Sequence, residues 1–199
     1  MRQLLRASLP SLTQLDLSQN NETGPMIAQL ALKQWPLLKA VSIGAGVHIG
    51  IFRRKTDWPK LQALSVEQAD IAETDVDHKT SVTVNWSLQM KTIAMTDSEV
   101  DLPLLAWLLL PWGPTIVSLN LSESQLELDG FDLLSKANFP ALSTLILSRT
   151  GMDGHDMTTL ANGSWPALTH FELDGNPGFG ETGFLALISA HLPKGSHCL

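Results

Sequence analysis

The chain has 199 residues, 44% of them hydrophobic and 17% charged, with a mean hydropathy of +0.08. That is the balance of one folded domain of ordinary size and excludes a disordered chain. A formal net charge of −7 opposes a phosphate backbone, so nucleic acid is not an expected partner. The only cysteine is Cys198, so no intrachain disulfide is available and the fold must rest on apolar burial.

Residues 1–8, MRQLLRAS, read as the tail of a helix. Leu9 then opens a three-position apolar phrase, Leu12/Leu15/Leu17, whose last two members alternate as a strand does, which predicts a strand near 14–18. Met26-Ile27-x-x-Leu30 has helical spacing. Trp35-Pro36 opens a second phrase, Leu38/Val41/Ile43, with a strand near 40–44, followed by GAGVHIGIFRRKTD, which has no clean helical face. Trp58-Pro59 opens a third, Leu61/Leu64/Val66, with a strand near 63–67. The stretch after it is long and polar, and residues 71–84 read as an irregular loop or a small extra strand.

Trp86 opens the fourth phrase, Met90/Ile93/Met95, with a strand near 92–96. The run LPLLAWLLLPW that follows holds Pro103 and Pro111. It is too short to cross a bilayer and reads as a buried helix. Trp112 opens the fifth phrase, Ile116/Leu119/Leu121, with a strand near 118–122. Phe139-Pro140 opens the sixth, Leu142/Leu145/Leu147, with a strand near 144–148, and Met157-x-x-Leu160 after it is helical. Trp165-Pro166 opens the seventh, Leu168/Phe171/Leu173, with a strand near 170–174, followed by the helical Phe184-Leu185-x-x-Ile188. The chain stops where an eighth phrase would begin.

The first apolar positions of the seven phrases are Leu12, Leu38, Leu61, Met90, Ile116, Leu142 and Leu168. The step is the same throughout except at Leu61, which comes early and is followed by a compensating longer step. A fixed period of this size, about 26 residues, is the signature of a solenoid. A strand with one apolar row cannot bury that row alone, so stacked copies form a parallel sheet over a continuous core. The residues between strands travel back behind the sheet, and each proline marks the end of that return. Gly24, Gly50, Gly154 and Gly180 stand at the same distance after Leu12, Leu38, Leu142 and Leu168, and a turn with positive φ would account for them. Strands about 4.8 Å apart set against helices about 8–10 Å apart bend the stack with the sheet inside.

The phrase L-x-x-L-x-L-x-x-N is similar to the leucine-rich repeat family. Its asparagine is present as Asn20 and Asn176, and the same position elsewhere holds Gly46, Ala69, Ser98, Ser124 and Thr150. The period and helical returns resemble the ribonuclease-inhibitor-like subclass. The resemblance implies an α/β solenoid, a curved horseshoe with a concave parallel β-sheet and short helices and irregular segments on the convex face. It implies one domain over residues 1–199 with about seven repeats, standing alone or as a piece of a longer protein. It also implies a protein partner, since the family mostly binds other proteins.

In that geometry the solvent-facing strand positions form the binding surface. The candidate partner-binding residues are Asp16, Ser65, Ser118, Asn120, Ser122, Ile146, His170, Glu172 and Asp174. The middle of the face is small and neutral, and His170, Glu172 and Asp174 are its most chemically distinct patch. Asp153-x-His155-Asp156 sets a histidine beside carboxylates, but its place before a helix points to capping. No catalytic constellation or metal-ligand spacing is found, so a non-enzyme with no cofactor and no metal is expected. The alternatives are a scaffolding subunit held through its convex face or open ends, and a glycan- or lipid-binding domain. The lone cysteine and the lack of a signal-peptide pattern favour the cytoplasm, whereas four Asn-x-Ser/Thr sequons, at Asn21, Asn85, Asn120 and Asn162, point to secretion.

Overall fold

The computed structural model describes residues 8–20, 29–30, 32–45, 47–48, 58–70, 89–126, 129–190, 192–193 and 197–198. Trp86, Gly24, Gly50, most of the segment around Met26 and the stretch 71–84 lie outside the described residues.

The protein is α/β, with helices on one side of a parallel sheet. The strands are β1 (Gln14–Leu17), β2 (Ala40–Ile43), β3 (Val47–His48), β4 (Ala63–Glu67), β5 (Ala69–Asp70), β6 (Thr92–Thr96), β7 (Glu99–Val100), β8 (Ser118–Asn120), β9 (Gln125–Leu126), β10 (Thr144–Ile146), β11 (His170–Glu172) and β12 (His197–Cys198). The helices are α1 (Leu102–Trp112), α2 (Gly130–Lys136), α3 (Gly154–Ala161) and α4 (Gly180–Ser189). The main sheet has eight strands in the order β1-β2-β4-β6-β8-β10-β11-β12, and every pairing within it is parallel. Beside it, β3 pairs with β5 and β7 with β9 in two small parallel ribbons.

Register explains why these strands assemble. Leu15, Val41, Leu64, Ile93, Leu119, Leu145 and Phe171 are successive partners across the sheet. From Val41 to Phe171 all are buried, whereas Leu12 and Leu15 at the first strand are half-buried. The second row, Ile43, Val66, Met95, Leu121 and Leu147, is buried as well. Each such side chain contributes about 1.5–3 kcal/mol by leaving water, but only because the neighbouring strand covers it.

The aromatic-Pro-x-Leu phrase forms a turn. The carbonyls of Trp35, Trp58, Phe139 and Trp165 accept the N–H of Leu38, Leu61, Leu142 and Leu168, three residues on. Pro36, Pro59, Pro140 and Pro166 take the second place in these turns, where the φ that the proline ring imposes is the one required. The aromatic rings stack on one another between copies: Trp35 on Trp58 with centroids 6.0 Å apart, and Phe139 on Trp165 at 5.7 Å. Two indoles donate to backbone carbonyls, Trp58 Nε1 to that of Lys33 at 3.1 Å and Trp165 Nε1 to that of Leu160, in the last turn of the helix α3, at 3.0 Å.

Past β4, β6, β8, β10 and β11 the chain reverses through a left-handed residue: Gln68, Asp97, Glu123 and Arg149, with φ of 50°, 50°, 60° and 57°, and then Gly175 at 71°. The N–H groups of the first four donate to the carbonyls of Thr96, Ser122, Ser148 and Asp174, at or just past the end of the next strand, which holds the conformation. After Asp97, Glu123, Arg149 and Gly175 the next residue is polar and buried. Ser124 Oγ accepts from the Ser98 N–H and donates to the Met95 carbonyl. Thr150 Oγ1 donates to the Leu147 carbonyl at 2.9 Å. Asn176 Oδ1 accepts from the N–H groups of Thr150 and Met152 at 3.0 and 3.2 Å, while its Nδ2 donates to the carbonyls of Leu147 and Leu173, both at 2.8 Å.

The helices differ from expectation in three places. The segment Gly130–Lys136, where no helix is expected, forms α2 with Phe131 and Leu134 buried. Gly154 does not have positive φ, although Gly180 does, at 53°. A Cβ at Gly154 would meet Thr182 Cβ at 2.8 Å, so this glycine is there for the close approach of α3 to α4. The same approach sets the face of α4: its small residues Gly183 and Ala186 are buried, and the larger stripe Phe184, Leu185 and Ile188 is turned to solvent. The run Leu102–Trp112 is a helix with five of its side chains buried, capped by Asp101, whose carboxylate accepts from the Leu104 N–H at 2.7 Å.

Replacing Asn176 by alanine removes the side-chain partner of two buried N–H groups and of the Leu173 carbonyl, while the Leu147 carbonyl keeps the Thr150 hydroxyl. Urea unfolding of Asn176→Ala should show a loss of about 3 kcal/mol or more. Asn20 holds the same place at the exposed first strand, with a single 3.4 Å bond to the Leu17 carbonyl, so Asn20→Ala should cost under about 1 kcal/mol. Equal losses would contradict the buried-seam account.

Candidate functional site

The solvent face of the sheet is built by the positions that alternate with the core rows. Its central row is Asp16, Ser42, Ser65, Ala94, Asn120, Ile146 and Glu172, matched strand to strand. Beside it runs Gln14, Ala40, Ala63, Thr92, Ser118, Thr144 and His170 in the same register. The structure therefore brings Ser65, Ser118, Asn120, Ile146, His170 and Glu172 onto neighbouring strands of one face. Asp16 stands at the far end, two strands from Ser65, while Ser122 and Asp174 lie just beyond the strand ends.

Several of these side chains are anchored locally. Asp16 Oδ1 accepts from the Ser18 N–H at 2.9 Å and the Ser18 hydroxyl at 2.7 Å. The hydroxyl bond first and the N–H bond second hold the Asp16 carboxyl below the usual carboxylate range. Asn120 Oδ1 is bound in the same way by the N–H and hydroxyl of Ser122, at 2.9 and 2.5 Å. At the other end of the face, the Ser148 hydroxyl donates to Glu172 Oε1 at 2.8 Å, and His170 Nε2 stands 3.6 Å from Glu172 Oε2. A row of surface contacts links the left-handed turns: Gln68 Nε2 donates to Asp97 at 2.6 Å and Arg149 pairs with Glu123 at 3.0 Å.

The Asp153/His155/Asp156 cluster is a helix cap. Asp153 Oδ1 accepts from the N–H groups of His155 and Asp156 at 2.8 and 3.0 Å, and Asp156 Oδ2 accepts from the Asp153 N–H at 3.0 Å. This is a reciprocal capping box on α3. The Asp156 and His155 N–H bonds hold the Asp153 carboxyl below its ordinary value, while burial pushes that of Asp156 up. Both carboxylates border a hollow shared with Leu102, Leu126 and Phe131. A second hollow lies between α3 and α4, lined by Thr158, Asn162, Thr182, Leu185 and Ser189.

Among the described residues, no three His, Cys, Asp or Glu side chains stand in a metal-binding group, and no helix is long and apolar enough to cross a membrane. Sequence reading did not single out Ser148 or the left-handed row, because neither carries a residue type tied to its position. Neither a protein-family model nor a curated protein matches the chain.

The folded carboxyl of Asp153 titrates below its unfolded value of 3.8, so its contribution to stability is present above that value and is lost as pH falls through the folded one. Asp153→Asn keeps a capping oxygen without the charge. Between about pH 5 and about pH 2 the melting temperature of the wild type should therefore fall more steeply than that of the variant. Parallel curves would show that the charge of this cap contributes nothing.

Proposed function

We propose that the chain is a leucine-rich-repeat solenoid acting as a non-catalytic protein–protein interaction module, with the solvent face of its sheet presented to a protein partner. Recurrence supports the repeat reading. The carbonyls of Thr13, Lys39, Gln62, Lys91, Val117 and Ser143 each accept two successive N–H groups from the next strand. The turn after the strand repeats its left-handed residue from Gln68 to Gly175, and the buried Ser/Thr/Asn position follows it each time from Ser98 to Asn176. Strands spaced more closely than helices bend such a stack, so the sheet face becomes concave.

The observation that carries the functional reading is the composition of that face. Ala63, Ser65, Thr92, Ala94, Ser118 and Asn120 form a half-buried, uncharged floor across three adjacent strands. Small side chains leave room for a partner's larger ones, and the acidic end at Glu172 and Asp174 gives the surface a direction. Partner capture followed by mass spectrometry tests this. Ser118→Arg and Ile146→Arg put long charged groups on the floor, so both should lose the captured partner with the melting temperature unchanged.

A second reading, a scaffold subunit held through its helices, is favoured by one observation. Phe184, Leu185 and Ile188 on α4 are exposed, whereas the equivalent positions one copy earlier, at α3, hold Thr158, Thr159 and Asn162. Loss of the partner in Phe184→Glu and Ile188→Glu, with retention in the two arginine variants, would move the interface to this side and overturn the sheet-face reading.

A further inference from the structure

The end of α3 joins a chemically labile pair of residues to the aromatic column. The chain has seven asparagines, and only Asn162 is followed by glycine. The others precede Asn, Glu, Trp, Leu, Phe or Pro. Those side chains crowd the backbone nitrogen that follows the asparagine, and proline has no N–H there at all. Packing dictates the glycine. A Cβ at Gly163 would stand 2.8 Å from Trp165 Nε1, and that indole donates to the Leu160 carbonyl at 3.0 Å. Any side chain at this position would push the ring off the helix end. Glycine at 163 is therefore a requirement of the Trp165 contact, and the Asn-Gly pair comes with it.

Asn162 is the C-cap of α3 and is exposed, with φ of −80° and ψ of −9°. Its N–H donates to the Thr159 carbonyl at 3.2 Å, and the Gly163 N–H donates to the Leu160 carbonyl at 2.9 Å. Its side-chain Nδ2 donates to the Thr158 carbonyl at 3.0 Å. Attack of the Gly163 nitrogen on the Asn162 amide needs both groups free to turn toward each other. The bonds to Leu160 and Thr158 therefore restrain the pair while the turn is closed. Helix ends open at little free-energy cost, and α3 has only eight residues.

We propose that Asn162–Gly163 is a site of spontaneous conversion to aspartate and isoaspartate, with its rate set by opening of the last turn of α3. The Gly163 nitrogen, its proton given up to solvent, attacks Cγ of Asn162. The new N–Cγ bond closes a five-membered imide, and the Cγ–Nδ2 bond breaks, so that Nδ2 takes a proton from water and leaves as ammonia. Water then adds to either imide carbonyl and opens the ring, giving aspartate or isoaspartate. The product carries a new carboxylate at the negative end of α3, where the helix dipole opposes it. Asn162 also borders the hollow between α3 and α4, beside Leu185 and Ala186, so the charge falls on the seam between these helices. The inference does not depend on where the chain binds a partner.

Peptide mapping by mass spectrometry, after incubation in mildly alkaline buffer, tests the site. In the chain unfolded in guanidinium chloride, the peptide holding Asn162 should be the first asparagine peptide to gain one mass unit. In the folded chain the same conversion should run slower by about tenfold or more. Trp165→Phe removes the indole bond to Leu160 and keeps an aromatic ring, as at Phe139. It should raise the folded rate several-fold and leave the unfolded rate unchanged, with a melt to confirm that the variant is folded. Asn162→Asp copies the charge of the product and should lower the melting temperature at neutral pH. Earlier conversion at another asparagine, equal rates in the folded and unfolded chain, or an unchanged folded rate in Trp165→Phe would overturn the proposal. An unchanged melting temperature in Asn162→Asp would deny the new charge any effect on the α3–α4 seam.

Discussion

No strand of the main sheet can bury its own apolar row, and the architecture follows from that limit. Leu119 is covered because Ile93 and Leu145 flank it in register, and Leu145 because Leu119 and Phe171 do. Where the flank is missing, burial is incomplete: Leu12 and Leu15 at β1 remain half-exposed, while their counterparts Leu38 and Val41 are buried. Helices α1 to α4 close the other side of this shared row. Their buried residues, such as Leu105, Leu108, Leu134 and Leu160, join the strand leucines in one cluster. Stability is therefore a property of neighbouring pairs and not of single segments.

Chain reversal in so narrow a space exposes backbone groups that water cannot reach, and the sequence meets this with short polar side chains. Ser98, Ser124, Thr150 and Asn176 are buried next to the left-handed turn. Ser124, Thr150 and Asn176 each bond a carbonyl near the end of a core strand. Asparagine carries both a donor and an acceptor and bridges two copies at once, whereas a hydroxyl does less. That difference accounts for serine and threonine serving at this position without disturbing the register on either side.

Much of the fold was legible because its signals are periodic. The alternation in Leu145/Leu147 or Phe171/Leu173 marks a strand, and the repeated spacing makes those strands neighbours in a parallel sheet. The apolar run Leu102–Trp112 and the capping pattern at Asp153 read directly as helical features. What stayed hidden lacks such a signal. The left-handed positions hold Gln68, Asp97, Glu123 and Arg149, residue types that do not announce positive φ, because an inter-strand hydrogen bond and not side-chain size selects the conformation. Helix α2 is too short to show a periodic face. On α4, the spacing of the large apolar residues marked the helix but not its buried face, which close helix approach gives to Gly183 and Ala186. The solvent face was legible residue by residue from strand parity. Its pairing of His170 with Glu172 and Ser148 was not, because it depends on rotamers and on a neighbouring strand.

The matched register of β8, β10 and β11 carries a consequence for how such a chain changes length. Thr144 stands to Ser118 as His170 stands to Thr144, and Phe139 and Trp165 hold equivalent places in the aromatic column. Over this stretch the pairing register repeats from one strand to the next. Duplicating or excising one whole copy would present each surviving edge with a surface it already fits. Size is thus nearly a free variable for gene rearrangement here, whereas an insertion of any other length would have to be looped out of the stack.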